Sequence, residues 1–416
     1  MKDKLLFVLF NTILLWIVAG ASVAQENLRL DQVIIKVLEN NPKLMVADYR
    51  AQALAARMRQ AQQKPADRIN LSLENFAGTD EALAIRSLEA TLSLSRTLEL
   101  GNKLQSRGDV VSQRIRVLEN QKDIDRLNLL ADTTLRFLHV AVDQERLNLA
   151  EEALELMQLT ENAVKERVQA GRTSETEIYR LEIEKVNYML EVEHVTHDLE
   201  SSRVYLSILW NERQPVFDKA EADIFKIDEM PEFTELSEMI DLHPEIIQHI
   251  RAEDLARAKV RLAESKVKPD LDLSAGLRYL GGTNDVAVVF TASMPLGSYS
   301  RAQPGIDEAR SMSLIDPLNR QLQHLELYAT LHEIYEEIKH ASETINVLTE
   351  EVIPIAEKLL ADYESGYQTG RYSLLELTQA QQILRNARIR LLDMAVIYHS
   401  NKIEIDRLTG AQLTQW

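Results

Sequence analysis

Two halves of this chain follow one pattern: a helical stretch, a pair of short alternating strands, a very long helix, and a turn into another helix. Asn41-Pro42-Lys43-Leu44 opens the first half, and His243-Pro244-Glu245-Ile246 opens the second. Each opening leads through a helical run to a proline, Pro65 or Pro269, and then to the strands. Each half also reaches a shared turn, Ala-Gly-Arg-Thr-Ser-Glu-Thr-Glu at 170–177 and Thr-Gly-Arg-Tyr-Ser-Leu-Leu-Glu at 369–376. An internal repeat of this kind implies a pseudo-symmetric architecture. Its mixture of elements points to a tube rather than a globule.

Only 13 glycines and 10 prolines occur among 416 residues, so most of the length is regular structure. Cysteine is absent, which excludes disulfides, thiolate metal sites and a lipidated N-terminal cysteine. The formal charge of −18 argues against nucleic acid as a partner, because neutralising phosphates requires a basic face. It suits a protein that repels anions or accompanies cations. Lys2 and Lys4, the apolar run from Leu5 to Val18, and the small residues up to Ala24 read as an export signal over 1–24. An uncleaved inner-membrane anchor is the alternative, but the run falls short of the ~20 residues a spanning helix needs.

From Leu28 to about Gln63 the pattern is helical, with Asp31 expected as an N-cap and a break at Asn40-Asn41-Pro42. Two alternating runs follow near 69–96. Ile69, Leu71 and Leu73 share one parity, as do Leu88, Ala90, Leu92 and Leu94. The second half repeats this near 271–296, with Leu271, Leu273, Ala275 and Leu277, then Val286, Val288, Phe290 and Ala292. Runs of about ten residues with apolar-out, polar-in alternation match a tilted strand crossing a bilayer around a wet lumen. A soluble sheet with one buried face has the same period. Four strands cannot close a bilayer barrel, which needs about eight or more, so spanning strands require several chains to share one barrel.

Residues 102–169 read as one helix, with Ile124, Leu127, Ala131, Leu135, Leu138 and Val142 stepping by threes and fours. Ile345, Leu348, Val352, Ile355 and Leu359 do the same in the second half, with a kink expected at Pro354. Pro215, Pro231 and a dense acidic content mark 211–240 as a connector with short helices. The organisation is thus a signal segment (1–24), a first repeat (25–210), a connector (211–240), a second repeat (241–410) and a tail (411–416). Tyr205, Trp210 and Trp416 read as packing residues. His194 and His197 lie three apart on a helix, but two imidazoles make a poor metal site and a solvated face is the simpler reading. No nucleophile–base order, phosphate loop or metalloprotease helix occurs, so neither an enzyme nor a cofactor is expected.

Leu28-Arg29-Leu30-Asp31-Gln32 through Asn41-Pro42, the two Gly-Arg turns and the strand exit Met294-Pro295-Leu296-Gly297 resemble the TolC-like outer-membrane efflux proteins. Leu71–Phe76 and Thr91–Gly101 resemble the heavy-metal branch of that family, the CzcC type. The resemblance implies a mainly α fold with four strands per chain, forming as a homotrimer a twelve-stranded barrel in outer-membrane lipid above a periplasmic helical tunnel. It also implies a periplasmic adaptor and an inner-membrane pump of the RND type as partners. Many metal-branch relatives carry a lipid on an N-terminal cysteine; here the barrel alone must anchor the chain. A channel for drugs or organic solutes is the alternative within the fold. A periplasmic coiled-coil adaptor or scaffold without a pore is the alternative from another class.

The same resemblance places a periplasmic gate at the helical tips. Glu376 and Gln379 occupy two family positions that ring the constriction, with an amide where the second acid is usual. Tyr367 matches a tyrosine that helps hold the gate shut, and Glu177 a residue that braces it. Gly171 and Gly370 are the repeat-turn glycines. A ring of Glu376 carboxylates would favour cations. Ser373-x-x-Glu376 and Ser174-x-x-Glu177 also read as capping boxes, in which case each glutamate would have to turn between cap and lumen.

Overall fold

A computed structural model describes residues 26–80 and 85–410. The expected signal segment, the tail and Trp416 lie outside the described residues. In chain order the first half comprises β1 (Glu26–Leu28), α1 (Leu30–Asn40), α2 (Pro42–Ala61), β2 (Arg68–Glu74), β3 (Glu89–Leu98), α3 (Lys103–Gln169) and α4 (Thr176–Ser207). The connector carries β4 (Phe217–Ala220) and α5 (Phe233–Met239). The second half comprises α6 (Pro244–Ser265), β5 (Leu271–Leu280), β6 (Asp285–Ser293), α7 (Ser298–Met312), α8 (Ile315–Val347), α9 (Ile353–Thr369) and α10 (Leu374–Thr409).

The two opening motifs do the same local work. Proline suits the first helical turn, where its missing N–H would find no partner anyway. The preceding residue then caps: Asn41 Oδ1 accepts from the Lys43 N–H at 2.9 Å, and His243 Nδ1 accepts from the Glu245 N–H at 3.3 Å. Asp31 does not cap α1. The helix starts two residues earlier than such a cap requires, with Arg29 at the cap and its N–H held by Gln32 Oε1 at 3.0 Å. Asp31 instead sits in the first turn, where its charge complements the helix dipole.

The four main strands form one antiparallel sheet in the order β2-β3-β5-β6, so the two hairpins meet along β3 and β5. Register aligns the apolar parity of every strand. Ile69, Leu94, Ala275 and Phe290 form one row; Leu71, Leu92, Leu277 and Val288 the next; Leu73, Ala90, Tyr279 and Val286 a third. That face is bare: Ile69 and Phe290 are each 77 % exposed and Val288 74 %. The opposite face carries rows of Ser, Thr, Asn and charged residues, including Arg68, Ser95, Ser274 and Thr291. Gly276 lies on this polar face, where a Cβ would come within 2.4 Å of the Leu92 carbonyl, so the strands approach more closely there than any side chain would allow. β2 and β6 keep open edges.

At ~1.5 Å per residue the 67-residue α3 is about 100 Å long. It packs antiparallel to α4 and also contacts α2, α6 and α10, so it joins the two repeats. Phe137 and Leu138 are almost wholly buried, each stabilising the bundle by roughly 1.5–3 kcal/mol. The second-half stripe follows its expected period only as far as Leu348. A five-residue π-helical turn, Leu348–Val352, then absorbs one extra residue ahead of Pro354. Beyond it the buried face moves on by one position. Val352 and Ile355 point outward, whereas Ala356 and Leu360 are buried. Pro354 lacks an N–H and its ring crowds the preceding turn, and a π-turn accommodates both.

The connector holds a strand where only helices were expected: β4 pairs parallel with β1. Trp210 is buried beside Phe217, with ring centroids 6.5 Å apart, whereas Tyr205 is 63 % exposed and does not pack as expected. Tyr398 is fully buried and its hydroxyl donates to the Asp228 carbonyl at 2.8 Å, tying the connector to α10. Among the described residues no helix is long and apolar enough to cross a membrane.

Candidate functional site

The tips where α3 turns into α4 and α9 turns into α10 carry every predicted gate residue. Both long helices stop on a glycine in the left-handed region, Gly171 at φ 68° and Gly370 at φ 83°. In each, the glycine N–H bonds three residues back and the following arginine N–H five back. The pairs are Gly171 to Val168 and Arg172 to Arg167 in the first, and Gly370 to Tyr367 and Arg371 to Gly366 in the second. This is the Schellman arrangement, and it explains why Gly-Arg recurs in the repeat.

The helices that follow begin differently. At α10 the Ser373 N–H and hydroxyl both donate to Glu376 Oε2 at 2.8 Å, and the Glu376 N–H returns a bond to Ser373 Oγ at 3.3 Å. These bonds hold the Glu376 carboxyl below its usual range, the backbone one most strongly. Both fall on Oε2, so Oε1 is outside the cap. Capping and facing solvent therefore do not require the side chain to turn between them. At α4 the expected capping box is absent. Helix α4 starts at Thr176, and the Ser174 hydroxyl accepts from Thr176 Oγ1 at 2.9 Å while the Glu177 N–H reaches the Ser174 carbonyl at 3.2 Å. Glu177 is thereby released from any capping duty.

Tyr367 is 4 % exposed, packed inside the tip rather than presented at its surface. The Arg167 guanidinium lies 4.6 Å from its ring centroid and donates to its backbone carbonyl. Burial pushes the phenol pKa up, the Arg167 charge opposes this and the Glu177 charge adds to it. Glu177 itself is half-buried in the first turn of α4. The tip is finished by Tyr372, whose ring lies tilted against Tyr363 with centroids 4.5 Å apart and covers Gly366, where a Cβ would lie 2.1 Å from the Tyr372 ring. Gln379 is exposed and turns toward α4. It lines a groove of about 400 Å³ with Arg180, Glu184, Tyr188, Glu191 and Arg385. Nearby, buried Glu161 pairs with Lys165 at 2.5 Å and Lys185 at 2.9 Å, and those bonds lower its pKa.

The structure thus joins Tyr367 to Arg167 and Glu376 to Ser373, leaves Glu177 in the first turn of α4, and sets Gln379 apart on the groove. Arg167 escaped the sequence reading. It occupies in the first repeat the place of Gly366 in the second, and an arginine facing a glycine across a pseudo-dyad was the available signal. His194 and His197 are exposed beside Asp198 at 3.5 Å and Glu200 at 3.8 Å. No cluster of three or more metal-ligating side chains occurs among the described residues.

The sequence profile of the family described as outer membrane efflux protein matches residues 33–206 and 236–411, one match to each half. A cobalt-zinc-cadmium resistance protein, CzcC of Cupriavidus metallidurans, is 24 % identical over 322 residues, covering 77 % of each chain. Among solved structures, CusC superposes with a TM-score of 0.77 at 16 % identity over 94 % of this chain and 96 % of its own. VceC of Vibrio cholerae gives 0.75 at 15 % over 92 % and 96 %. The open-state MtrE channel of Neisseria gonorrhoeae gives 0.74 at 18 % over 93 % and 91 %.

Proposed function

Since the chain belongs to the outer membrane efflux protein family, we propose that it is the channel of a tripartite exporter of heavy-metal cations. Membership places it in the outer membrane, reaching into the periplasm, and sets aside both an enzyme and a pore-less adaptor. The observation that carries the channel reading is the sheet: four strands with one bare apolar face, one polar face and two open edges. Open edges are not tolerated in lipid, so strands from further copies must complete the wall, and three chains give twelve strands. The polar face then lines a wet lumen. The similarity to a cobalt-zinc-cadmium resistance protein supports metal cations as cargo.

In this reading the chain is a passive conduit that opens when a periplasmic adaptor and an RND-type inner-membrane pump dock. The helical tips are the gate: Glu376 supplies a carboxylate oxygen beyond its cap, Tyr367 and Glu177 brace the turn from within, and Gln379 leaves the second ring position uncharged. Deleting the gene and measuring growth tests the cargo. Sensitivity to divalent metals, restored by the intact gene, is the expected outcome; sensitivity to dyes, detergents and antibiotics alone would assign organic solutes instead.

A further inference from the structure

We infer that Arg278 keeps the acidic end of the sheet's polar face from holding a cation, so that metal ions leave the channel without being retained there. This rests on the channel reading proposed above. The end in question borders the strand-connecting loops, away from the long helices, and is the exit if the strands cross the membrane. There Glu74 stands directly opposite Glu89 in the β2–β3 register. Two carboxylates so placed repel one another, and together they form the oxygen pair a divalent cation seeks. Arg278, one row inward on β5, fills that position with its guanidinium. Its Nε donates to Thr91 Oγ1 at 2.9 Å, Nη1 donates to Glu89 Oε2 at 3.2 Å, and Nη2 lies 4.0 Å from Glu74 Oε2.

The remaining carboxylate oxygens are also engaged. Asn75 Nδ2 donates to Glu89 Oε1 at 3.0 Å, and the Ser72 hydroxyl donates to Glu74 Oε1 at 3.2 Å. The opposite end of the same face follows the same rule, since Asp272 has Arg68 3.5 Å away. Between the ends lie mostly neutral groups such as Asn70, Ser93 and Gly276. Acids on this face thus come with an arginine partner wherever two strands could present them to one ion; Asp285, at the loop edge, stands alone and exposed. A planar guanidinium is suited to the task because it is always charged and spans more than one acceptor.

The test uses the full-length protein in planar lipid bilayers, with Cd²⁺ added to the loop side while single-channel conductance is recorded. The wild type should conduct with weak block. Arg278→Gln should lower the half-blocking Cd²⁺ concentration at least tenfold, and Arg278→Gln combined with Glu89→Gln should return it to the wild-type value. Arg278→Lys, which keeps the charge and loses the fork, should fall between, and it serves if Arg278→Gln does not assemble. Equal block of wild type and both Arg278 variants would overturn the inference, as would persistent block in the double variant. A protein that conducts neither as wild type nor after its tips are loosened by Arg167→Ala would instead overturn the channel reading itself.

Discussion

At the scale of single residues, two positions that look alike in sequence have different duties. Ser373 anchors a reciprocal capping box, whereas Ser174 Oγ accepts from the N–H and hydroxyl of Thr176 with no glutamate bond in return. Ser373→Ala should therefore cost about 1 kcal/mol and Ser174→Ala distinctly less, measured by denaturant unfolding of the detergent-solubilised protein. His399 supplies a second prediction. It is buried on α10 against the Ile224 carbonyl at 2.9 Å, and burial lowers its pKa from 6.5 to about 4. The unfolded chain takes up that proton more readily than the folded one, so stability is full above pH ~6.5 and falls as the pH drops toward ~4. The loss should approach about 3 kcal/mol, and His399→Gln should remove most of it in melts run across that window.

At the scale of elements, the π-turn decides which side of the second long helix faces the core. Deleting Glu350 would remove the extra residue and return Pro354 to an ordinary helix interior, at a cost of about 3 kcal/mol. The same deletion combined with Pro354→Ala should recover most of the loss, with melting temperature as the readout. If both versions melt alike, Pro354 is not the cause of the turn. The stripe through Ile345 and Leu348 was legible from its spacing, but its continuation through Val352 and Ile355 was not. Periodicity assumes 3.6 residues per turn, and one wider turn rotates everything beyond it.

For the whole molecule, the bare apolar face and open sheet edges are what the proposed trimer has to cover. Leu277 sits mid-strand in an apolar row between Leu92 and Val288 and is 57 % exposed. Leu277→Arg should cost roughly 2–4 kcal/mol per chain if the row meets lipid near its midplane, and should deplete the protein from outer-membrane fractions. Unchanged membrane recovery would reject the lipid-facing assignment of that row. Mass measurement in detergent should give three copies of the chain, each below the 47.5 kDa of the full sequence by the mass of the export segment 1–24.

Much of this protein is written locally. The doubled order of elements, the Gly-Arg helix stops, the Asn41-Pro42 and His243-Pro244 starts and the parity of the strands all depend on backbone geometry over a few residues, so spacing alone reveals them. Arg167 stacking on Tyr367, Arg278 held between Glu74 and Glu89, and the pairing of β1 with β4 each join residues far apart in the chain. Which Ser-x-x-Glu becomes a capping box also depended on the tip around it. Local sequence fixes torsions and periods, but contacts across the repeats exist only once helices and strands have packed, and that packing decided the details of the helical tips and of the sheet's loop end.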